Sequence, residues 1–123
     1  PALSGNGGSW KMFQPGKAPP GRSISVTEAG ELADRGEPAE RIYLRGEFLV
    51  TATDKNRAIM REQVGGKERA DGPRIIVEYP AGAVPLAENA TTVRDAARPL
   101  QIRSVQRAAN GKVNIYAVEI IQP

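Results

Sequence analysis

The sequence predicts an all-β domain: a small five-stranded Greek-key barrel led by one short helix and an irregular N-terminal arm. Two observations carry that expectation. Five runs rich in Ile, Val and Leu follow the order three, a longer helix-compatible connection, then two. The 123 residues include 13 Gly and 10 Pro, a punctuation that suits short strands joined by turns. A third observation bears on function: the chain has no histidine and no cysteine.

Residues 1–22 are rich in Gly and Pro and show neither a strand nor a helix period. They read as an extended arm, with residues 23–123 as a single domain. The arm nevertheless holds Trp10, the only Trp of the chain, close to Met12 and Phe13. Large apolar side chains on flexible backbone are a common docking device. Next, Ser25-Val-Thr-Glu28 fits a capping box, in which the Ser hydroxyl and the Glu carboxylate each satisfy a free backbone N–H. Val26, Ala29, Leu32 and Ala33 follow at helical spacing, and Gly36 and Pro38 close the segment. The expected helix runs from about Val26 to Arg35.

The first strand is expected over Arg41 to Thr53. Ile42, Leu44, Phe48 and Val50 share one face at period 2, with Arg45 and Glu47 on the other. Gly46 lies mid-run, where a bend would let one strand serve both ends of a barrel. Thr53 to Arg57 reads as a tight hairpin with Asn56 at positive φ, and Arg57 to Val64 returns as the second strand. Gly65 to Pro73 is a charged loop and Arg74 to Tyr79 the third strand. A short helix is expected within Ala87 to Ala97. Leu100 to Arg107 and Lys112 to Ile121 are the last two strands, joined by Asn110-Gly111, a strong hairpin signal. Along the final run Val113 and Ile115 share one parity and Val118 and Ile120 the other, which predicts a bulge near Ala117.

This β-β-β, connection, β-β order over residues 41–121 resembles the oligonucleotide/oligosaccharide-binding fold. The likeness is one of topology and rests on no signature motif; a β-sandwich or another small barrel answers the same pattern.

Catalysis is not expected. Nucleophilic triads need a base, usually His, and zinc sites need Cys or His. Gly5-Asn-Gly-Gly8 lacks the strand, helix and Lys-Ser/Thr ending of a phosphate loop. Glu47 and Glu119 are a carboxylate pair only if the fold makes them converge. No catalytic residue, metal site or cofactor is therefore assigned. No stretch approaches the roughly 18 apolar residues of a membrane span, and the lack of cysteine leaves the compartment open.

The expected function is a non-enzymatic structural or adaptor module that self-assembles or docks on a protein partner through Trp10, Met12 and Phe13. The alternative is a single-stranded nucleic-acid-binding domain. Net charge is +3, and the acids gather in residues 25–40, which leaves the strand region basic. Arg57, Arg61, Arg74 and Arg103 are the candidate contacts, with Tyr79 the one aromatic on the second and third strands.

Overall fold

A computed structural model describes residues 19–120. Buried and open positions alternate along most strands, as period-2 side-chain placement requires. The elements in chain order are β1 (Arg22–Ile24), α1 (Val26–Gly30), β2 (Ile42–Leu44), β3 (Gly46–Thr53), β4 (Arg57–Val64), β5 (Lys67–Glu68), β6 (Arg74–Glu78), β7 (Thr91–Arg94), β8 (Leu100–Arg107) and β9 (Val113–Glu119). The protein is predominantly β, 47% strand and 5% helix, and its strands form one curled sheet. The order across it is β1-β2-β8-β9-β6-β4-β3-β7, with β5 beside β4. Only β1 with β2 and β6 with β9 run parallel. Nine strand segments thus stand where five were expected. The five expected runs reappear as β2 with β3, β4, β6, β8 and β9; β1, β5 and β7 were not foreseen.

The division of the first run into β2 and β3 falls at Arg45 and Gly46. Gly46 has φ +148°, a conformation open essentially to glycine. A Cβ there would lie 3.1 Å from the ring of Phe48. Beyond this break β2 pairs with β8, whereas β3 pairs with β4 and β7. One continuous run therefore serves two distant parts of the ladder.

Ile42, Leu44, Phe48 and Val50 are all buried, as their spacing predicts, and meet Met60, Ile75, Val77, Leu100, Val105 and Ile115 in one core. Burying each such side chain is worth about 1.5–3 kcal/mol. The Ser25 capping box is present, with both reciprocal hydrogen bonds formed, and Val26 and Ala29 of α1 are buried on the core.

Several local expectations are corrected. The helix stops at Gly30, a poor helix former, and Leu32 to Arg35 continue as tighter turns; Asp34 takes φ +68° and its N–H bonds to the Val105 carbonyl. Asn56 does not adopt positive φ, because Asp54 Oδ1 accepts from the N–H groups of both Asn56 and Arg57 and builds the turn itself. Gly65 and Gly66, both at positive φ, fold the charged loop back so that β5 pairs with the end of β4. The expected helix within residues 87–97 is instead the strand β7, whose side chains alternate across the edge of β3. Finally, β9 has no bulge: Ile115 and Ala117 face the core, and its register with β6 is unbroken from Asn114 to Val118. The shift lies opposite, in β8 between Ile102 and Ser104, with Arg103 as the extra residue.

Candidate functional site

The residues of β4, β6, β9 and β8 that point away from the core form three transverse rows. Register partners put Arg57, Glu78, Val118 and Gln101 side by side in the first row. Ile59, Ile76, Tyr116 and Ser104 make the second, and Arg61, Arg74, Asn114 and Gln106 the third. Ile59, Ile76 and Tyr116 are half-buried. The outward face is thus an apolar stripe with one aromatic ring, bordered by arginines on both sides.

Two concavities lie on this face. Arg57, Glu78, Arg103, Gln106 and Tyr116 line one of about 560 Å³. Arg61, Arg74, Lys112 and Asn114 line a second of about 210 Å³. The four arginines singled out from the sequence therefore fall into two pairs, Arg57 with Arg103 and Arg61 with Arg74. The bulge in β8 accounts for the first pairing, because an extra residue re-aims its side chain.

Their electrostatic states differ. Among the described residues, the ion pairs engage Arg22, Arg45, Arg61, Arg69, Arg94 and Arg107, so Arg57, Arg74 and Arg103 have none. Arg61 is committed to the fold: its Nη1 donates to the carbonyls of Ala70 and Gly72 at 2.8 and 3.0 Å, and its Nε lies 3.8 Å from Glu68. Asp54, which shapes the turn before Arg57, has its carboxyl held below the usual range by the N–H groups of Asn56 and Arg57.

The tyrosines also separate. Tyr79 is buried; its hydroxyl lies 2.7 Å from Thr53 Oγ1 and accepts from the Leu86 N–H, so it ties loops together and offers no stacking surface. Tyr43 is buried too and donates to the Pro19 carbonyl at 2.6 Å. Tyr116, on the outward face, is the ring that sequence reading left unassigned. Its parity opposite Ile115 was the available signal. Glu78 and Lys112 were missed, because only the register across strands brings them beside the arginines.

The carboxylates Glu47 and Glu119 have different partners. Glu47 accepts from Gln63 at 3.2 Å, whereas Glu119 lies 2.7 Å from Arg94. Among the described residues, no group of three or more His, Cys, Asp or Glu is arranged to hold a metal ion. No helix among them is long and apolar enough to cross a membrane. Trp10, Met12 and Phe13 lie outside the described residues.

Fold and face together define a small, mainly β domain with an arginine-bordered outer surface. No protein-family model, curated protein or solved structure matches the chain.

Proposed function

We propose that this is a non-enzymatic, OB-like barrel that binds single-stranded nucleic acid on the outward face of β4, β6, β8 and β9. The barrel part of the reading draws support from the parallel β6–β9 pairing and from the first run serving both β8 and β4. The observation that carries the binding part is the placement of Arg57, Arg74 and Arg103, without carboxylate partners, around Tyr116 and its apolar row. Guanidinium groups take phosphates, and a base stacked on the ring gains about 1–3 kcal/mol. With one ring, most of the affinity comes from phosphate contacts and falls steeply with salt. Fluorescence anisotropy with a labelled mixed-sequence oligonucleotide at low salt tests this. Binding that weakens linearly in log salt is expected; no signal at tens of micromolar protein overturns the proposal.

A second reading, self-assembly or partner docking through Trp10, Met12 and Phe13, is favoured by one observation. The described end of the arm is pinned to the sheet: Pro19 accepts from Tyr43, and a Cβ on Gly21 would meet the Arg41 carbonyl at 2.7 Å. Residues 19–21 lead into the edge strand β1, whose outer side pairs with no other strand among the described residues and so suits an added strand. Sedimentation of the full chain, of a form lacking residues 1–18 and of Trp10→Ala checks this. Assembly should weaken in both altered forms while melting of the domain hardly changes; a strict monomer at high concentration for the full chain counts against it.

A further inference from the structure

We propose that the larger concavity reads guanine, with Glu78 as the specificity-determining residue; this rests on the nucleic-acid reading above. Glu78 is exposed and lines that concavity with Arg57, Arg103 and Tyr116. It stands beside Arg57 in the first row, yet it has no ion pair among the described residues. A free carboxylate on a face that meets phosphates repels them, so it weakens binding unless ligand donors face it. On a nucleic acid those donors are base N–H groups.

A carboxylate accepts two parallel hydrogen bonds side by side. Guanine offers two adjacent donors on its Watson–Crick edge, the ring N1–H and the exocyclic N2 amine. Adenine, cytosine and thymine each present one. Tyr116 sits one strand across and two residues along from Glu78, through the pairs Ile76 with Tyr116 and Glu78 with Val118. Strand spacing and rise make that diagonal roughly 8 Å between Cα atoms. A purine stacked on the Tyr116 ring can span this and turn its donor edge to Glu78. Arg57 and Arg103, on the same walls, are left for the flanking phosphates.

The test is anisotropy with a labelled short oligothymidylate and with the same strand carrying guanosine, or inosine, at its central positions. The guanosine strand should bind roughly tenfold tighter than the thymidine strand, the discrimination a bidentate base contact supplies. Inosine, which keeps N1–H but lacks the N2 amine, should fall between them. Glu78→Gln should remove most of the guanosine preference while leaving oligothymidylate binding equal or stronger, because a repelling charge is gone. Glu37→Gln, in another carboxylate lining the same concavity but outside the three rows of the sheet face, should keep the preference. Equal binding of the three strands by the unaltered protein overturns the guanine inference and leaves the wider reading standing. A preference that survives Glu78→Gln, or is lost in Glu37→Gln, overturns the role of Glu78. If no strand binds, both readings fall.

Discussion

Arg94 and the trio Arg57, Arg74 and Arg103 are the same side chain in opposite situations. Arg94 points inward from β7, is 2% exposed and lies 2.7 Å from Glu119. Burial pushes its pKa down from the ordinary value, and the Glu119 carboxylate beside it opposes that push. The other three point outward and have no ion pair among the described residues. A buried cation is tolerable only with its counter-charge; an exposed one is stable alone and available to a ligand. β7 shows how far burial can depart from polarity. Its Thr92 and Arg94 face inward while Val93 is 52% exposed. An inward-pointing charge on an edge strand is one way to discourage further strands from adding there.

The largest expected effect is at the buried cation. Arg94→Ala strands Glu119 and should lower unfolding free energy by about 3–5 kcal/mol, read from urea denaturation. The double change Arg94→Met with Glu119→Leu should recover most of that loss. If the single change costs less than about 1 kcal/mol, the pair is solvated and the contrast with the outer arginines collapses.

Gly46→Ala comes next. Its φ and the nearby Phe48 ring predict a loss of about 1–3 kcal/mol in the same measurement, because the break between β2 and β3 must shift. On the outer face, Arg74→Ala or Arg103→Ala should change stability by no more than about 0.5 kcal/mol. Each should nonetheless reduce the slope of log affinity against log salt by roughly 1. A large loss of stability from either would mean that these arginines belong to the fold.

The smallest effect is one of acid. The Asp54 carboxyl titrates below its usual range in the folded protein, so its stabilising contribution is present above that range and is lost as pH falls through the lowered value. Asp54→Ala should therefore be less stable than the unaltered protein at neutral pH, and the two melting temperatures should converge in acid. A difference that persists at the lowest pH would show that the turn draws on something besides the charge.

Much of the frame was legible because periodicity reports burial. Ile42, Leu44, Phe48 and Val50 were placed on one face by alternation alone, and that face is the inward one; Ser25 with Glu28 were placed by capping chemistry. β7 was not legible: polar side chains point in and an apolar one points out, so the pattern inverts and a helix was read instead. The bulge was assigned to the wrong strand because a parity change in β9 reflects an apolar outer face, with Tyr116 and Val118 half-buried there. At the site, the arginines were chosen only by the strands expected to carry them. Their division into two pairs, and the arrival of Glu78 and Tyr116 among them, needed cross-strand register, which no single strand encodes.

The placement of β9 also bears on how the chain is made. It lies between β8, its neighbour in sequence, and β6, more than thirty residues earlier. Without it, β8 has no link to the β6-β4-β3 hairpins except through β2. Synthesis runs at about 5–20 residues per second. For the seconds before residues 113–119 clear the ribosome, the emerging chain holds two partial sheets with unpaired edges. Pairing across long stretches of chain is slow, and open edges invite mispairing. A pause or truncation ahead of Val113 should therefore yield aggregation-prone nascent chains, whereas a stop after Glu119 should release a chain able to join its two halves.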